Sequence, residues 1–146
     1  MEYRNIVCPI DDSELSRRGE ETAAYLSKCS GGRLILLHVV EKWYKSSAVS
    51  TDSKAWNKLH NEWLNDGREL LKREEEKLRM DGVKNIESII REGDAAHEIV
   101  AVAKERRADL IVMTTHHESP VTKLFMGSLI DEVTSMSRCP VLWIFE

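Results

Sequence analysis

The sequence predicts an α/β fold built on a parallel sheet with helices on both faces. Three observations lead there. Short apolar runs with β-branched residues recur along the chain. Longer stretches with helical periodicity separate them, which gives the order β-α-β-α-β-α-β-α-β. The run "RLILLHVV" (33–40) is apolar on both faces, as strands covered from both sides are.

"NIVCPI" (5–10) is the first strand. "DDSE" then offers side-chain oxygens that accept from the free N–H groups of a helix start. The helix that follows aligns Leu15, Gly19, Ala23 and Leu26, its small residues allowing a close approach to a sheet, and a glycine stop ends it at "SGG" (30–32). "RLILLHVV" is the second strand. Helical periodicity spans about 52–81, with Trp56, Leu59, Trp63 and Leu70 as its apolar stripe. "KREEEK" (72–77) reads as a solvated stretch, and "YKSSAVSTDSK" (44–54) as a mobile loop. The third strand covers 86–91. Asp94 caps a third helix with Ala96, Ile99, Val100 and Ala103 on one face. "DLIVMT" (109–114) is strand four. "GSLIDEVTSMS" (127–137) is a short helix aligning Leu129, Val133 and Met136, and "CPVLWIFE" (139–146) is strand five.

The 146 residues suit one domain over 1–146. A net charge of -4 argues against nucleic acid as a partner, and the arginine pairs at 17–18 and 106–107 read as solvated faces. No apolar run approaches the roughly 18 residues of a membrane span, and the charged start lacks a signal-peptide layout. Cys8, Cys29 and Cys139 are odd in number and form no CxxC, which fits unpaired thiols in a reducing cytoplasm.

In doubly wound sheets, ligands sit at the carboxyl ends of strands where the chain order reverses. With strand one central, the crevice falls between "PIDDS" (9–13) and "MTTHH" (113–117). The helix beginning near Gly127 points its N-terminus into the same area, which favours an anion. The loop between, "TTHHESPVTKLFMGS" (114–128), holds two adjacent histidines. Neighbouring loop residues rarely face one ion, and no cysteine or carboxylate stands at a ligand spacing, so no metal site is expected. Asp11, Asp12 and Glu118 read as caps and solvated groups, His38 as a core or pocket-edge residue, and Ser128 as a cap or phosphate contact. No activated nucleophile stands beside them, so no catalytic residue is assigned. Strand five is an apolar edge, and pairing with a second copy would protect it.

Four stretches, "NIVCPIDDSELS", "LILLHVVE", "EGDAAHEIVAVAKERRADLIVMTTH" and "GSLIDEVTSMSRCPVLWI", resemble the universal stress protein family over almost the whole chain. The resemblance implies a sheet in the order 3-2-1-4-5, homodimers through the last strand, here Val141, Leu142, Trp143, Ile144 and Phe145, and membership of either an ATP-binding or a non-binding class. The family's signature after strand four has the form G-x2-G-x9-G-[ST]. Here the spacing is kept and Gly127–Ser128 match, but Thr114 and His117 stand where the first two glycines fall. Those glycines let backbone N–H groups approach phosphate without a Cβ. Thr114 is β-branched and resists a strained turn; Pro120 removes a donor; Asp12 and Glu118 add negative charge. Carried over residue by residue, the nucleotide contacts fall on Pro9, Ile10, Asp11, Val39, Met113, Gly127, Ser128 and Leu129, with Lys123 in reach of a phosphate. The resemblance therefore implies a cytoplasmic, homodimeric, non-enzymatic stress-response protein with weak or absent ATP binding. The alternatives are an ATP- or AMP-binding switch, with Mg2+ only if ATP binds, and then a nucleotide hydrolase.

Overall fold

The computed structural model describes residues 2–41, 54–115 and 128–145. The chain alternates β1 (Asn5–Pro9), α1 (Glu14–Ser30), β2 (Arg33–Glu41), α2 (Lys54–Met80), β3 (Ile86–Gly93), α3 (Ala95–Glu105), β4 (Leu110–Thr115), α4 (Ser128–Met136) and β5 (Val141–Phe145). The strands form one sheet in the order β3-β2-β1-β4-β5, and every neighbouring pair is parallel. Alternation along the strands divides the core in two. Ile6, Cys8, Leu34, Leu36 and Val112 meet Ala23 and Ala24 of α1 and Leu70, Leu71 and Leu78 of α2. Val7, Ile35, Leu37, Ile111 and Met113 meet Ala96, Ile99, Val102 and Ala103 of α3 and Val133 of α4.

The predicted helix ends hold. Ser13 caps α1 by accepting from the Ser16 N–H, Asp94 caps α3 by accepting from the His97 N–H, and α1 stops at Gly31 in the left-handed region. Two readings of α2 change. Trp56 and Trp63 are only half-buried and Leu59 is exposed; the sheet contact comes from the second half, through Gly67, Leu70, Leu71, Glu74 and Leu78. "KREEEK" is not uniformly solvated, because Glu74 in its middle is 3% exposed. It lies one turn from both Leu70 and Leu78, on the stripe that faces the sheet. The stretch expected to be a mobile loop lies outside the described residues, apart from Lys54, which opens α2. Among the described residues, no helix is long and apolar enough to cross a membrane.

Candidate functional site

The order of the strands reverses at β1, which lies between β2 and β4. The register makes a notch there. Pro9, the last residue of β1, pairs with Leu37, and β2 runs on through Glu41. On the other side β4 pairs with β1 at Ile6–Leu110 and Val7–Ile111 and continues through Thr115. Half-buried Pro9 and buried Ile10 form the floor between two longer strands. The floor is tied to its neighbour: the Ile10 N–H donates to the Leu37 carbonyl at 2.8 Å, and His38 Nδ1 lies 2.9 Å from the Ile10 carbonyl. His38 thus stands at a pocket edge, one of the two placements the sequence leaves open for it.

The turn into α1 is built from its own polar atoms. The Ser13 N–H donates to Asp11 Oδ1 at 2.8 Å, the Ser16 N–H to Ser13 Oγ at 3.1 Å, and the Asp11 N–H to Ser16 Oγ at 3.0 Å. This leaves the Asp11 side chain exposed at the mouth of the notch. Asp12 is also exposed, and Arg73 of α2 donates to its Oδ1 at 2.7 Å. The charge expected to oppose an anion at Asp12 therefore has a counter-charge that the sequence does not reveal. Both groups are more than half exposed, so solvent screens the pair and it adds little to stability.

The other predicted positions divide. Val39 is half-buried and packs toward the α3–α4 layer; Met113, 3% exposed, spends its side chain on that layer, as half-buried Leu129 does from α4. Met113 thus offers a ligand only its backbone, whereas Val39 and Leu129 keep part of their side chains exposed. Thr114 lies in strand four as the sequence places it, and corrects only the strained turn that the signature implies there. It sits in extended β4, paired with Ile144, so no strained turn is asked of it, and a strand suits a β-branched residue. Its methyl points at α1: a Cβ on Gly19 would lie 2.7 Å from Thr114 Cγ2. The glycine missing at 114 is balanced by a glycine at 19. His117 and Gly127 lie outside the described residues, with His116, Glu118, Pro120 and Lys123; Ser128 is the first residue of α4. Beside the notch, between the end of β2 and the middle of α2, opens a crevice of about 490 Å³ lined by Asp12, Val39, Trp63 and Arg73 among others. Pro9, Ile10, Asp11 and Met113 do not line it.

Below the turn lies a group the sequence reading misses. Glu20 of α1 is 1% exposed and its carboxyl lies against that of Glu74. Burial pushes the Glu20 carboxyl up to about 8, the nearby Glu74 adds to the rise, and Ser16 and Lys77 oppose it. The Ser16 hydroxyl donates to Glu20 Oε1 at 3.1 Å, and Arg73 Nε donates to Glu74 Oε1 at 3.1 Å. A signal does exist, since Glu20 falls one turn from Ser16 and Ala24 on the buried stripe of α1. Cys8 beneath them is buried and unpaired, and burial pushes its thiol up, which makes it a packing group and not a nucleophile.

The model of the universal stress protein family matches residues 2–144. This chain belongs to the universal stress protein family. Universal stress protein YxiE of Bacillus subtilis is 30% identical over 149 residues, covering 96% of this chain and 97% of that protein. Among solved structures, that of MJ0577 from Methanocaldococcus jannaschii superposes with a TM-score of 0.81 at 24% identity, over 100% of this chain and 98% of that one. A universal stress protein in complex with cAMP gives 0.77 at 23% identity, over 99% and 98%. One from Archaeoglobus fulgidus in complex with dAMP gives 0.70 at 21% identity, over 99% of each. These likenesses establish the fold of this universal stress protein.

Proposed function

We propose that this universal stress protein is a cytoplasmic, non-enzymatic regulator that binds an adenine nucleoside monophosphate at the β1 notch and ATP weakly or not at all. The observation that carries the reading is the notch itself, with the exposed carboxylate of Asp11 at its mouth. Asp11 Oδ1 holds the Ser13 N–H, and Oδ2 has no partner among the described residues, which suits an acceptor for ribose hydroxyls. Thr114 does not crowd the notch, because its methyl turns toward Gly19. The two relatives solved with cAMP and dAMP carry ligands with a single phosphate. The altered position His117, with Pro120 and Glu118, weakens the part of the loop that a polyphosphate and its Mg2+ need. The unpaired state of Cys8, Cys29 and Cys139 fits a reducing compartment.

The same reading makes the protein a homodimer through β5. Leu142 and Phe145 are exposed on that strand, and Trp143 and Phe145 stand with ring centroids 6.4 Å apart. A second copy would cover this apolar edge.

Thermal midpoints with AMP, cAMP, ATP and no nucleotide test the ligand. A ligand at about 100 times its dissociation constant stabilises by about 2.7 kcal/mol. AMP and cAMP should raise the midpoint and millimolar ATP should not. A rise with ATP equal to that with AMP would show an intact polyphosphate site. Glycine at both 114 and 117 should improve ATP binding, with most of the gain from His117→Gly.

A further inference from the structure

We propose that the buried Glu20–Glu74 carboxyl pair shares one proton and, through Ser16 and Arg73, holds the Asp11–Asp12 turn in its ligand-binding position, so that losing the proton weakens the site. This regulation rests on the nucleotide reading of the notch. The geometry comes first. Glu20 Oε2 and Glu74 Oε2 are both buried without a hydrogen-bond donor among the described residues. Two such oxygens in a dry interface between helices cannot both stay bare and charged. A single proton between them supplies the missing donor, and the pair then titrates as a unit.

Each carboxyl has one further bond, and both bonds lead to the same turn. On one arm, Glu20 Oε1 accepts from Ser16 at 3.1 Å, and Ser16 Oγ accepts from the Asp11 N–H at 3.0 Å. On the other arm, Glu74 Oε1 accepts from Arg73 Nε at 3.1 Å, and Arg73 Nη2 donates to Asp12 Oδ1 at 2.7 Å. Few groups among the described residues face the pair. Lys77 and Arg73 of α2 are the cations, Asp12 shares Arg73, and β1 presents the neutral thiol of Cys8. From β4, Thr114 approaches α1 at Gly19 and brings no charge.

When the proton leaves to solvent, two negative charges face each other across the interface. They repel, and the added charge draws Arg73 toward Glu74 and away from Asp12. The turn then loses its tie at Asp12 while the arm through Ser16 shifts with α1. The mouth of the notch also becomes more negative, which disfavours an anionic ligand. Anion affinity should therefore fall as pH rises through the titration of the pair.

The test uses the full chain with carbon-13-labelled glutamate and nitrogen-15-labelled backbone, from pH 6 to 9.5, as wild type and as Glu20→Gln. The glutamine keeps the shape and a donor but cannot lose a proton. In wild type, the Glu20 carboxyl signal should titrate above pH 7, and the Asp11 amide should move with the same midpoint. In Glu20→Gln, the Asp11 amide should stay flat over this range. A Glu20 carboxyl that titrates as an ordinary side chain, or an Asp11 amide that titrates equally in both proteins, overturns the proposal. Should Glu20→Gln fail to fold, Ser16→Ala serves: the Glu20 carboxyl should still titrate high, but the Asp11 amide should follow it far less. These signals need no ligand. The affinity for cAMP, whose phosphodiester keeps one charge throughout, is then measured at both pH limits. It should fall at least threefold in wild type and less than 1.5-fold in Glu20→Gln. An equal fall in both refutes the regulation. No cAMP binding at any pH refutes the nucleotide reading, while the ligand-free signals still decide whether the pair controls the turn.

Discussion

The two faces of the sheet are built differently. The face under α3 and α4 is closed by Val7, Ile35, Leu37, Ile99, Val102, Ile111 and Val133, and among the described residues no buried polar side chain lies there. The face under α1 and α2 is richer in buried leucine and isoleucine, but Ser16, Glu20, Ser27 and Glu74, the buried polar groups among the described residues, are all on its helices. Apolar packing is non-directional and insensitive to pH. Buried carboxyls are directional, costly when unpaired and sensitive to protons. The first face packs through apolar side chains. The second carries the turn that leads to the notch, and Ser16, Glu20 and Glu74 stand where they reach that turn, while Ser27 closes the far end of α1 on the Gly32 carbonyl.

Three substitutions sharpen the contrast, from the largest expected effect down. Ile99→Ala empties a fully packed site on the apolar face and should lower the unfolding free energy by about 2–5 kcal/mol. The loss should be the same at pH 6 and pH 8.5 in denaturant titrations. The polar face should show the opposite behaviour. Glu20 stays protonated in the native state up to about 8, whereas an unfolded glutamate releases its proton near 4.5. Between these values the native state binds more protons, so stability should fall as pH rises, by on the order of 1 kcal/mol per unit. Below this window the contribution is fully present. Glu20→Gln should flatten that slope, and an unchanged slope would place the pH sensitivity elsewhere.

The third change concerns the contact between α1 and β4. Gly19→Ala sets a methyl 2.7 Å from Thr114 Cγ2 and should cost about 1–3 kcal/mol. Adding Thr114→Ser removes the opposing methyl. The double variant should recover the loss and keep up to about 1 kcal/mol from replacing a helical glycine. If Gly19→Ala is as damaging in the Thr114→Ser background as in wild type, the two residues are not complementary.

The architecture is legible in the sequence because most of it rests on period and caps. The apolar runs place all five strands, and Ser13, Gly31 and Asp94 mark helix ends as their chemistry requires. Val102 escapes because the face that periodicity selects for α3 is turned slightly toward Val100. The tryptophans of α2 mislead because a helical stripe shows which residues share a face, not where the helix meets the sheet. The site is half legible. Position after β1 places Asp11, and the apolar run places Thr114 in strand four, but the glycine signature asks for a turn at 114 where the backbone is extended. Glu20, Glu74 and Arg73 are hidden by their charge. A carboxylate in a charged run looks solvated until its partner on another helix is known, and Arg73 meets Asp12 across 61 residues of chain.

The central claim is that the β1 notch binds an adenine nucleoside monophosphate through Asp11. Calorimetric titration of AMP into wild type and Asp11→Ala at pH 7 tests it most directly. Wild type should give saturable binding, and Asp11→Ala should weaken it at least tenfold, a loss of about 1.4 kcal/mol or more. Equal AMP affinity in the two proteins, or no binding to wild type at millimolar AMP, would contradict the account.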